Sequence, residues 1–94
     1  MNYRLRLAPE IQADAAHFHP ILKKKVKTAL KLLQNDPLAG KPLLDELQGF
    51  WSYPVSHHRI IYVIEEKIKE IRIIMISARY EVYELLLQEK PQKK

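Results

Sequence analysis

Two stretches in the second half of this chain, residues 59–65 and 70–77, are almost unbroken apolar runs. Runs of that length, rich in isoleucine and valine, suit strands covered on both faces, and they constrain the fold more than any other feature. A sheet built around two such strands needs cover, and the first half of the chain supplies it. Residues 20–34 carry Leu22, Val26, Ala29, Leu30 and Leu33 at spacings of three and four, an apolar stripe along one side of a helix. Lys23, Lys24, Lys27 and Lys31 fall on the rest of its circumference.

The remaining elements follow from period and punctuation. Residues 2–7 alternate, with Tyr3, Leu5 and Leu7 on one side and Asn2, Arg4 and Arg6 on the other, which predicts a half-buried strand. Pro9 and Glu10 open a first helix over 9–18 that presents Ile11, Ala15 and Phe18 to the core. His19-Pro20 breaks it, because a residue before proline avoids the helical basin. Asn35-Asp36-Pro37 ends the second helix, and residues 36–49 read as a loop. A short strand over 50–55, edge-like because of Pro54, turns at Ser56-His57 into the first apolar run. The turn at Glu65-Glu66-Lys67 leads into the second run, residues 82–88 form a last short helix, and 89–94 are a frayed polar tail.

The order is β-α-α-β-β-β-α, an α+β domain. Counting reversals makes the first strand antiparallel to the last, so the expectation is a four-stranded antiparallel sheet with a helical hairpin on one face and the other face open and concave. Ninety-four residues hold one such domain. A composition 47% hydrophobic and 29% charged excludes disorder. With no cysteine there is no disulfide framework and no thiolate metal site, no run approaches a membrane span, and the N-terminus lacks a signal-peptide stretch. The expected setting is a reducing cytoplasm, without membrane association. A net charge of +5 suits an acidic partner such as nucleic acid or an acidic protein.

The antiparallel pairing of the two apolar strands brings the beginning of one beside the end of the other. Arg59 and Arg79 then share one end of the sheet with His57, His58, Tyr80 and Tyr83. That set suits a phosphodiester: guanidinium binds phosphate bidentately and stays charged, imidazole moves protons near neutral pH, and phenol rings stack on unpaired bases. RNA brings its own 2′-hydroxyl as nucleophile, so this chemistry calls for no metal and no cofactor. Each residue also has a plain reading. A strand-end arginine serves as a solvated charge or an edge ion pair, and Trp51 and Tyr62 suit a core. His17 and His19 suit structural roles at the helix break. Lysines 23–25 suit a wet helix face or, through Lys24, a track for a phosphate backbone. No metal-ligand spacing, P-loop or nucleophile elbow is present.

Asn35-Asp36-Pro37, Leu47-Gln48-Gly49-Phe50-Trp51, His58-Arg59-Ile60-Ile61-Tyr62 and Ala78-Arg79-Tyr80, in that element order, resemble the RelE/ParE superfamily of type II toxins over residues 3–83. Trp51-Ser52 and His58-Arg59 are most similar to its YoeB-like branch. The resemblance implies a small toxin held inactive by a cognate antitoxin, an acidic protein docking through an amphipathic helix or a strand. RelE-like members cut mRNA in the ribosomal A site, which here implies a ribosome-dependent mRNA endoribonuclease that inhibits translation. The resemblance implies catalytic roles for Arg59, Arg79 and Tyr83; chemistry alone, without a family motif, adds His58 ahead of His57 as the group that exchanges a proton, and His57, Tyr80, Lys41 and Lys24 are the expected RNA contacts. ParE-like members share the fold but act on DNA gyrase without that set, which is the alternative, as is a toxin fold with a degenerate site. The chain departs from the nuclease pattern at Ser52 and Pro54, where many members are basic, and at Lys41, where the YoeB-like branch has a carboxylate base. Glu81 and Val82 stand where that branch has a histidine before its final tyrosine.

Overall fold

In the computed structural model, which describes residues 2–78, proline sets where both helices begin. Helix α1 (Pro9–Ala16) has proline in its first turn and Glu10 near its positive end. Helix α2 (Pro20–Asn35) starts the same way, and the His19 side chain caps it: Nδ1 accepts the Ile21 N–H at 3.1 Å. Helix α1 stops two residues earlier than its apolar spacing predicts. His17 and Phe18 bond back three residues, to the carbonyls of Asp14 and Ala15, and tighten the chain ahead of the His19-Pro20 break.

Five strands follow one another as β1 (Arg4–Leu7), β2 (Lys41–Pro42), β3 (Trp51–Val55), β4 (His58–Glu65) and β5 (Glu70–Ala78). They form one mixed sheet in the order β1-β5-β4-β3-β2, with β1 parallel to β5 and every other pair antiparallel. This corrects the four-stranded antiparallel expectation, and β2 is the reason. Its two residues lie in the segment read as a loop and add one reversal between α2 and β3. Every later strand therefore runs opposite to the direction counted, and β5 ends up parallel to β1. The short helix expected over 82–88 lies outside the described residues.

Alternation along the strands sorts side chains between two faces. One face lies under the helices: Ile60 and Tyr62 of β4 and Ile71 and Ile73 of β5 pack with Val26, Ala29 and Leu33 of α2, the stripe that the helical spacing predicts. Helix α1 buries no residue fully and contributes Ile11, with Phe18 just beyond its end, at the margin of this core. The other face is not wholly open, because the segment after β2 folds back across it. Leu43 and Phe50 bury Ile61 there, flanked by Leu47, Val63, Ile74 and Met75. The Ser56-His57 turn between β3 and β4 is a two-residue hairpin loop with Ser56 left-handed at φ 57.

A tyrosine fastens the 37–42 segment to the sheet. The fully buried Tyr62 hydroxyl donates to the Pro37 carbonyl at 2.6 Å and accepts the Gly40 N–H at 3.1 Å, while its ring stacks on Trp51. Gly40 must be glycine for this approach: a Cβ there would overlap the Tyr62 hydroxyl and stand 2.8 Å from the Ser52 carbonyl oxygen.

Candidate functional site

Strand register fixes what lies on the sheet face away from the helices. Arg59 on β4 sits between Pro54 on β3 and Ser77 on β5, and the next row on the same side runs Lys41, Ser52, Ile61, Met75. Ser77 shares this row because of a bulge: Ile61 pairs with Met75 and Tyr62 with Ile73, so Ile74 is an extra residue that shifts the alternation of β5 beyond it. Half-buried Arg59 donates from Nη1 to Ser52 Oγ at 3.0 Å. Among the described residues no carboxylate pairs with Arg59. Lys41 stands exposed on the edge strand opposite Ser52. Exposed Lys41 and half-buried Arg59 therefore border the row that Leu43 and Phe50 cover at Ile61, and the two cations can take an anionic group there.

The far end of the same face carries a separate charge cluster. Arg4 and Arg6 of β1, Glu65 of β4 and Glu70 and Arg72 of β5 share this side by register. Arg72 pairs with Glu65 at 3.0 Å and Arg6 with Glu70 at 3.7 Å, while Arg4 donates to the Ile68 carbonyl at 3.0 Å. Both arginines are exposed, and pairs with one partner so solvated contribute little to stability. Beside them a cleft of about 700 Å³ opens between α1 and β5, where β1 ends its pairing at Ile73 and the outer edge of β5 continues to Ala78.

The residues expected to act together divide as follows. Arg59 and Lys41 share the face. His57 is exposed at the hairpin tip, two residues from Arg59. His58 points the other way: as the neighbour of Arg59 on a strand it faces the helices, its ring 5.5 Å from that of Phe18, with Nδ1 buried and unpartnered. Lys24 is exposed on α2, in the helical layer on the opposite side of the sheet. The β4–β5 register carries the chain to the Arg59 end of the sheet at Ser77, and Arg79, Tyr80 and Tyr83 lie outside the described residues.

Sequence reasoning overlooked Ser52 as the partner of Arg59 and Arg72 as a member of this face. The signal for Ser52 is present. A two-residue turn at Ser56-His57 sets Pro54 opposite Arg59, which makes Ser52 its diagonal neighbour on the same side. Arg72, set between Ile71 and Ile73, had to face away from the core.

This architecture has relatives. A family model described as the ParE toxin of the type II toxin–antitoxin system parDE matches residues 5–83. The chain belongs to that family. Within the wider RelE/ParE superfamily, this toxin is 31% identical to Toxin RelG of Mycobacterium tuberculosis, across 88% of this chain and 98% of the relative. It superimposes on one chain of the RelBE2 toxin–antitoxin complex of the same organism with a TM-score of 0.72 at 30% identity, covering 84% of this chain and all of that one. A mutant of the Escherichia coli toxin RelE in the free state shares the fold, with a TM-score of 0.74 at 16% identity over 95% of this chain and 98% of that one.

Proposed function

We propose that this toxin is an endoribonuclease that cuts mRNA on the ribosome and so stops translation. In the proposed step the 2′-oxygen of a ribose attacks the adjacent phosphorus, its proton passes to a base, and the 5′-oxygen of the next nucleotide leaves after receiving a proton. Arg59 would meet the negative charge that grows on the non-bridging oxygens, with Arg79 as the second guanidinium and Tyr83 stacking on or orienting the nucleotide. His57, exposed at the hairpin tip, suits proton exchange better than His58, whose ring packs toward the helices. The observation that carries this reading is Arg59 itself: half-buried on the sheet face away from the helices, bonded to a neutral hydroxyl and not neutralised by any described carboxylate.

Primer extension on translated mRNA tests it. Arg59→Ala and Arg79→Ala should each lower cleavage by about 10²–10³-fold, the usual cost of removing a group aimed at transition-state charge. Undiminished cleavage in both variants removes the two arginines from the mechanism.

A second reading is a ParE-type protein that inhibits DNA gyrase by contact. The family match favours it, as do uncharged Ser52 and Pro54 on β3. Inhibition of purified gyrase in a supercoiling assay, with mRNA left intact in cells, would reverse the ranking. Either reading implies a cognate antitoxin, since relatives from M. tuberculosis, Pyrococcus horikoshii and Staphylococcus aureus are found in toxin–antitoxin complexes. An acidic partner segment laid across the Arg59 face would neutralise part of the +5. A neighbouring reading frame for a small acidic protein that rescues growth on co-expression is the expected finding.

A further inference from the structure

Ser52 is the one buried polar residue among those described that belongs to the sheet face of Arg59, at 2% exposure. Its position has two explanations that differ in what they require of the side chain. The first is packing: a position this buried, paired with Lys41 on one side and Ile61 on the other, suits a small neutral side chain. Alanine meets that demand as well as serine does. The second is the hydroxyl, which alone can accept the Arg59 Nη1–H at 3.0 Å.

The register shows what that bond does to Arg59. Arg59 lies opposite Pro54, and Ser52 is one same-face step further along β3, opposite Lys41. To reach Ser52 the guanidinium leans along the strand toward the Lys41 row, away from Ser77 and the end of β5. Without the hydroxyl, nothing described holds it there against solvent, because an arginine loses considerable rotamer freedom when fixed.

We propose that Ser52 is a positioning residue: its hydroxyl holds the Arg59 guanidinium on the Lys41 side of the sheet face away from the helices, so that one RNA phosphate meets both cations. Lys41 thereby supplies, from the edge strand, the positive charge that β3 itself lacks. The proposal rests on the reading of this face as an RNA site and deepens it. Ser52 acts through Arg59 and need not touch the RNA.

The test uses the purified full chain with ¹⁵N-labelled arginine and, as probe, an oligoribonucleotide with 2′-methoxy groups that cannot be cut. The side-chain Nε–Hε signal of Arg59, assigned by its loss in Arg59→Lys, should report restricted rotation in the wild type. It should average in Ser52→Ala and return in Ser52→Thr, which keeps the hydroxyl. Probe affinity should fall about tenfold in Ser52→Ala, the scale of one lost hydrogen bond to a charged group. Lys41→Ala should cost less in the Ser52→Ala background than alone, because the two cations no longer converge. An Arg59 signal unchanged by Ser52→Ala, or strictly additive losses, overturns the proposal. If Ser52→Thr does not fold, the alanine arm decides. If the wild type does not bind the probe, the RNA reading falls and the shared phosphate site with it, while the Arg59 signal still decides whether Ser52 holds the guanidinium.

Discussion

At Tyr62 a phenol with no exposed surface is bonded on both sides, and its removal separates polar from apolar contributions. Tyr62→Phe keeps the ring stacked on Trp51 but strands the Gly40 N–H and the Pro37 carbonyl. It should lower stability by about 1–3 kcal/mol, read as a shifted urea midpoint. Burial pushes the Tyr62 phenol up to about 12 from its ordinary 10.0, which means the folded state favours the protonated form. Its stabilisation is therefore complete below pH 10 and is lost as pH rises toward 12, a fall that Tyr62→Phe should lack in alkaline melts. At this scale the sequence revealed character more than partnership. Tyr62 and Trp51 read as core aromatics: Tyr62 is fully buried and Trp51 packs half-buried against the core. That Gly40 must lack a Cβ could not be read, because the demand comes from a side chain 22 residues away.

The two helices look alike in the sequence, each opened by proline, yet they are anchored very differently. Helix α2 drives Val26, Ala29 and Leu33 fully into the core, whereas α1 has no fully buried residue. Leu33→Ala should cost about 2–5 kcal/mol in chemical denaturation. In native-state hydrogen exchange, α1 amides should exchange through local opening, well before those of α2 and β4, which open only near the global limit. The apolar runs declared β4 and β5 because burial on both faces leaves a compositional mark. Strand β2 left none: two exposed residues, one a proline, show no period, and only pairing with Trp51 and Ser52 makes them a strand. That omission alone inverted the direction of the sheet. The bulge at Ile74 was hidden for a similar reason, since an extra apolar residue inside an apolar run leaves no trace.

Across the whole molecule, charge is distributed unevenly. The sheet face away from the helices carries Arg4, Arg6, Lys41, Arg59 and Arg72 against Glu65 and Glu70, and both carboxylates are committed to arginines at the far end. Lys41, Arg59 and Arg4 are thus the cations of this face without a carboxylate partner among the described residues, and Arg4 stands apart at the far end, on the Ile68 carbonyl. If single-stranded RNA lies there, Lys41→Ala should weaken binding across sequences and reduce the slope of log affinity against log salt by about 0.7, the share of one phosphate on a single strand. Lys24→Ala, on the opposite layer, should leave affinity for the uncuttable oligonucleotide near the wild-type value. The same geography bears on how a cell escapes such a protein. Because Gly40 anchors the segment that presents Lys41, and Tyr62 anchors Gly40, spontaneous survivors of unchecked expression should carry lesions at those two codons as readily as at the arginines. A map of escape mutations would trace the scaffold's fastening as much as its chemistry.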